Sequence, residues 1–310
     1  MGDNKKYLPI IAGIIYSTIF GFSFMFTKKS LDLVEPFHLL GFRFMMAATV
    51  LTILQLIGII KINFKGKRIH ILLLLGLFQP VSYFIFETLG IKMTSSSEAG
   101  MMIALIPVFV TILAYIFLKE RPTPKQFLFV ILSVAGVIFI NIMKGSMDVR
   151  GSIAGIFVLL GAVISAGFFN ILSRKSSLQF KPVEITFVMM WIGTIVFNGI
   201  SVIQHINNGD LLDYFNPLLN IDILSAVLYL GVLSSVIAFF LVNFMLSKLE
   251  ASKSAVFANL TTIVSILAGV IILNEDFYWF HFLGGFMILL GVWGTNYFGV
   301  KNKRDKKVGQ

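Results

Sequence analysis

Five residues of one apolar stretch recur at the spacing of a helix face: Gly76, Gln79, Tyr83, Glu87 and Gly90 fall at intervals of three, four, four and three. An amide, a phenol and a carboxyl thus share one stripe of an otherwise apolar helix. Pro80 within it removes a backbone donor and frees the carbonyl of Gly76 for another partner. An ionised group at mid-helix costs about 2.5–3.5 kcal/mol in a bilayer, so the stripe must face protein or water. Gln79 and Tyr83 then offer donors and acceptors to a solute at about mid-membrane.

Arg43 is the only basic residue embedded in an apolar block, and Glu87 is the only clear acid. At about 1.5 Å per residue they lie roughly 10 Å and 6 Å from the ends of their helices, near enough in depth to form an intramembrane ion pair. Snorkelling to the interface is the other structural use, and a substrate or proton role for Glu87 is the functional one. A second set sits on small-residue faces. Gly100, Ala104, Pro107, Thr111 and Ala114 follow one helical stripe, and Ala255, Asn259, Thr262, Ser265 and Gly269 follow another. Such faces serve close packing or line a pathway, where Asn259 and Thr262 would hydrogen-bond a ligand. Tyr16, Asn170, Ser235 and Asn243 are polar singles within other apolar blocks, suited to bonds between helices or to ligand contact.

Bond-making chemistry has no such set. The phosphate-binding pattern GxxxxGK[ST] is absent, no paired nucleophile and base lies within the apolar blocks, and there is no cysteine. His38, His70, His205 and His281 sit near block ends, without metal-ligand spacing. The expectation is a protein that is not an enzyme and uses no metal and no cofactor.

The elements that must position these residues follow from composition. The chain has 310 residues, 57% apolar and 13% charged, with mean hydropathy +0.91. Soluble domains carry roughly 25% charged residues. A helix needs about 20 apolar residues to cross a hydrocarbon core, and ten such blocks occur, at 8–27, 37–60, 70–91, 99–118, 126–143, 152–172, 183–203, 224–246, 254–273 and 281–298. The first reads as a retained helix, being too long for a signal-peptide core. Lys and Arg concentrate in alternate connections and in the tail beyond Lys301, which puts both termini in the cytoplasm. The net charge of +10 reflects this bias and predicts no nucleic-acid binding.

The chain also repeats itself. A shift of 155 residues lays LKE at Leu118 on LNE at Leu273, Gly136-Val137 on Gly291-Val292, and Leu75-Gly76 on Leu230-Gly231. A shift of 146 lays Gly21 on Gly167, KKS at Lys28 on RKS at Arg174, and Pro36 on Pro182. Each copy holds five spans, an odd number, so the second enters from the opposite side and the pair is inverted. The units are 1–145, 146–300 and a basic cytoplasmic tail, 301–310.

The stretch TSSSEAGMMIALIPVFVTILAYIFLKERPTPKQ at 94–126, followed by Gly136, resembles the signature of the EamA family in the drug/metabolite transporter superfamily. The stretch 251–277 repeats it more loosely, with Thr262 where the first copy has Pro107. The resemblance runs from about Leu8 to Phe298. It implies an all-α integral membrane protein of ten helices in two inverted EamA repeats around a central cavity. Glu120 and Glu275 match the signature and fall at helix ends, as capping or interfacial groups. The function implied is a secondary transporter of the cytoplasmic membrane, exporting amino-acid-like or amphipathic metabolites. The alternative is a proton-coupled multidrug exporter. Small multidrug resistance relatives use a glutamate in the first helix; span one here has no acid, so Glu87 would take that role. The expected partners are a small-molecule substrate and the lipid bilayer, with a homodimer left open.

Overall fold

A computed structural model describes residues 4–118, 123–146, 153–249, 254 and 257–308. The helices are α1 (Asn4–Ser30), α2 (Pro36–Leu56), α3 (His70–Gly76), α4 (Tyr83–Met93), α5 (Ser96–Ile103), α6 (Ile106–Leu118), α7 (Pro124–Ser146), α8 (Ile153–Ser176), α9 (Pro182–Asn208), α10 (Ile221–Leu228), α11 (Phe239–Lys248), α12 (Ala258–Ile272) and α13 (Trp279–Val308). Wide π-type turns join α3 to α4 (Leu77–Ser82) and α10 to α11 (Tyr229–Ala238). Among the described residues there is no strand. Seven helical segments among the described residues are long and apolar enough to cross a membrane, and three shorter apolar helices accompany them: Pro124–Ile140, Ala258–Ile272 and Trp279–Gly291.

Local chemistry explains where the apolar blocks break. The block at 37–60 stops being helical at Leu56, and Gly58 takes a left-handed φ of 80° that glycine adopts without steric cost. The block at 99–118 splits at Ala104 and Leu105, because Pro107 cannot donate to the carbonyl of Ile103. Tight i→i−3 bonds from Leu105 to Met102 and from Val108 to Leu105 bridge the gap. Thr262, at the matching place in the second copy, keeps its donor, and α12 runs unbroken. The stripe expected on one continuous helix is also interrupted. Gln79 adopts φ −148° and ψ 113°, outside the helical region, so α3 and α4 are separate helices.

The packing follows the internal repeat. α2 lies against α9 and α7 against α13, each pair joining counterparts of the two copies, and α5 packs on α12 across them. Other contacts come in exchanged pairs: α1 touches α12 as α8 touches α6, and α1 touches α11 as α8 touches α4. The closest approaches match to the residue. A methyl on Gly76 would strike Ile192 of α9, and one on Gly231 would strike Met46 of α2. Gly76 and Gly231 are related by the 155 shift, Met46 and Ile192 by the 146 shift. The helix ends match as well. Lys28 Nζ donates to the carbonyls of Ile91 (2.9 Å) and Thr94 (2.5 Å), while Arg174 Nη1 donates to those of Leu246 (2.8 Å) and Ser247 (2.9 Å). In each copy, then, the base closing the first helix satisfies C-terminal carbonyls of the third span, where the helix dipole favours a cation.

Candidate functional site

The breaks described above surround a cavity. Its wall takes side chains from α1 (Tyr16, Phe20, Ser23, Phe24), α2 (Arg43), the first π turn (Gln79), α4 (Tyr83, Phe84, Glu87), α8 (Phe169, Asn170), α11 (Phe239, Val242, Met245) and α12 (Ala258, Thr261). Both copies contribute. Rings dominate the wall, and Phe239 stands edge-on to Phe20, Phe84 and Phe169. The free space is about 70 Å³, room for a few water molecules. Ligand pockets usually offer about 300 Å³ or more, so the cavity in this state is too small for a drug-sized solute.

Arg43 is buried, and its guanidinium is held by the opposite copy. Nε donates to Ser235 Oγ (2.9 Å) and Nη2 to Ser234 Oγ (2.8 Å), both on the second π turn. Its carbon lies 4.2 Å from the ring centre of Phe84, close enough for a cation–π contact. By the 155 shift, Ser234 and Ser235 stand where the first copy has Gln79 and Pro80. At this matching register the first copy puts the amide of Gln79 on the cavity wall, and the second holds the Arg43 guanidinium that reaches it.

Glu87 is also buried on the cavity, one helical turn beyond Tyr83, and its Oε2 has no hydrogen-bond partner. Arg43 and Glu87 are close enough to interact electrostatically, yet no salt bridge joins them. The arginine spends its fork on serines. A basic and an acidic side chain therefore face one chamber without a salt bridge between them.

Of the residues singled out from sequence, Tyr16, Arg43, Gln79, Tyr83, Glu87 and Asn170 come together here. Asn259 and Thr262 do not. Thr262 Oγ1 donates to the carbonyls of Gly100 (2.7 Å) and Ala258 (3.1 Å), tying α12 to α5. Asn259 is half-buried away from the cavity, with its Oδ1 unpartnered. Their neighbour Thr261, about 100° round the helix, reaches the cavity instead. Ser235 and Asn243 make bonds between helices, the latter to Ser173 and Thr186. Glu275 caps α5 from the opposite copy: its carboxylate accepts from the amides of Ser96 (2.7 Å) and Ser97 (2.9 Å) and from Ser97 Oγ (2.6 Å). Glu120 and Ala255 lie outside the described residues.

The profile of the EamA-like transporter family matches twice, over residues 7–142 and 153–297. The chain belongs to the EamA-like transporter family. An uncharacterized transporter of Bacillus subtilis (strain 168), YcxC, is 41% identical over 296 residues, covering 96% of this chain and 95% of its own. An uncharacterized transporter of Archaeoglobus fulgidus is 27% identical over 93% of this chain and 98% of its own. A solved crystal structure superposes at a TM-score of 0.62, with 16% identity, over 93% of this chain and 94% of the other, which shows a shared fold. The protein is a multi-pass membrane transporter, and the EamA resemblance of the 94–126 stretch holds for the whole chain.

Proposed function

We propose that this EamA protein is a secondary transporter that exports small zwitterionic metabolites, amino-acid-like and with an apolar part, across the cytoplasmic membrane by alternating access. One observation carries this reading: buried Arg43 and Glu87 share a cavity walled by aromatic rings without neutralising one another. A guanidinium has five N–H donors, and two serines occupy two of them, so the rest can take a carboxylate. The unpartnered oxygen of Glu87 suits an ammonium, and the rings suit the apolar remainder. The proposed frame is ten membrane helices in two inverted five-helix units, 1–145 and 146–300, with both termini and the 301–310 tail in the cytoplasm. Alternating access then moves the copies against each other around the cavity.

Counterflow in proteoliposomes with a panel of apolar amino acids tests the substrate. Exchange should saturate. Gln79→Ala should raise KM by about 2- to 10-fold, the worth of one neutral hydrogen bond. Asn259→Ala should leave transport unchanged, because Asn259 does not line the cavity. A panel in which only permanent cations lacking a carboxylate exchange, driven by a proton gradient, would instead favour a multidrug exporter. Glu87, with its unpartnered oxygen, would then alternate between proton and drug.

Topology is tested separately in this cysteine-free chain. Lys65→Cys and Asp213→Cys, both at exposed positions, should react with an impermeant thiol reagent from opposite sides of the membrane. Labelling from the same side would remove the inverted arrangement.

A further inference from the structure

The connection from α9 to α10 is apolar on two faces. Outward, Leu212 is 98% exposed and Leu219 87%, with exposed Phe215 between them. Inward, Tyr214 is buried and Leu218 packs on the core. The inner face is pinned by a chain of polar contacts. Tyr214 donates its hydroxyl to Asn198 (2.7 Å), and its carbonyl accepts from His38 Nε2 (2.8 Å). His38 Nδ1 lies 3.1 Å from His205 Nε2, and His205 Nδ1 lies 2.8 Å from Asp210 Oδ1. This connection is therefore held to α2 and α9 on one side while presenting large apolar side chains on the other. A contiguous exposed apolar patch of this kind marks an interaction surface.

We propose that residues 209–221 form a strap lying in the membrane–water interface, its outward face sunk at the headgroup boundary of the leaflet that α9 and α10 reach. The bilayer is its partner. Continuity with the membrane helices selects lipid over protein. The strap begins and ends on membrane helices, and exposed Ile203 and Ile206 of α9 and Ile221 of α10 continue the lipid-facing surface directly onto it. The segment from Gln204 to Asp222 also has no lysine or arginine, while Asp210, Asp213 and Asp222 are acidic. Its hold on the membrane is consequently apolar, without the polybasic attraction that recruits anionic lipid. The strap bolts the α2–α9 contact between the two copies to the bilayer surface.

Single-cysteine variants Leu212→Cys and Asp213→Cys, each carrying an environment-sensitive fluorophore in phosphatidylcholine proteoliposomes, test this. At 212 the emission should shift to the blue, be quenched by lipids bearing a nitroxide near the headgroup and be shielded from aqueous iodide. At 213 the pattern should reverse. Adding phosphatidylglycerol or salt should change neither. Equal iodide quenching at both positions would overturn the proposal, as would lipid quenching at 212 only when anionic lipid is present. Disulfide formation between two copies at 212, with loss of the blue shift on dilution into excess lipid, would assign the face to a second copy and overturn it too.

Discussion

Arg43→Gln is expected to lower transport on the order of 100-fold, the largest effect of any single change at the cavity. The guanidinium makes two charge-assisted bonds to Ser234 and Ser235 and lies over Phe84, and among the described residues it is the only cation on the cavity wall. A substrate carboxylate deprived of it loses a charged contact of about 1.5–3 kcal/mol, which at about 1.4 kcal/mol per tenfold spans roughly 10- to 150-fold. Arg43→Lys should recover only part of the rate, because one ammonium cannot reach both serines and still present a fork to the solute. Folding should respond differently from transport. Arg43→Gln leaves Glu87 as a buried carboxylate with no counter-charge, so folded yield falls. Adding Glu87→Gln removes that charge and should restore yield but not transport. Transport at the wild-type rate by Arg43→Gln would move the binding site elsewhere. A double variant whose yield is no higher than that expected from two independent losses would mean that Glu87 does not depend on Arg43.

The residues that form the site were largely legible, but their arrangement was less so. Gln79, Tyr83 and Glu87 stand out because polar groups in an apolar block are costly unless they face protein or water, and all three reach the cavity. Spacing alone treats their helix as continuous, whereas the backbone breaks at Gln79, where Pro80 offers no amide. The matching π turn at Tyr229–Ala238 has no proline, so no comparable mark announces it. Arg43 stands out as the lone embedded base, and charge and depth make Glu87 its natural partner. Its real partners, Ser234 and Ser235, are nearly 200 positions away, and hydroxyls in membrane helices commonly satisfy themselves locally. The repeat held the missing clue, since the 155 shift lays Gln79-Pro80 on Ser234-Ser235. Thr262 shows the opposite limit. Sequence put it on a face with Asn259, but which face of α12 meets α5 and which meets the cavity depends on packing, and Thr262 went to the carbonyl of Gly100.

Glu275→Gln should loosen the end of the bundle where α5 begins. The wild-type carboxylate accepts two amide protons and one hydroxyl proton at the first turn of α5, where unpaired N–H groups and the helix dipole both favour negative charge. Because Glu275 belongs to the second copy and α5 to the first, these bonds hold the two copies together, beside the Ser265-to-Ser96 and Thr262-to-Gly100 bonds. A glutamine has one acceptor oxygen, and its amide group opposes the donors of Ser96 and Ser97. The loss is expected to be about 3 kcal/mol, read as a fall of several degrees in the melting temperature in detergent. Accessibility gives a second reading. Ile103 lines the cavity and is buried, so Ile103→Cys in an otherwise cysteine-free chain should react slowly with an impermeant thiol reagent. Adding Glu275→Gln should raise that rate from the Glu275 side by tenfold or more if the cap keeps this end shut, since reaction then follows the open population. Gly269→Ala offers an independent route to the same state, because its methyl would land on the Glu275 carboxylate and the Ser97 hydroxyl. It should lower the melting temperature and speed the same labelling without changing any charge. A cap that only stabilises α5 would lower the melting temperature in both variants and leave the labelling rate where it was, and this end of the cavity would then be held shut by something other than Glu275.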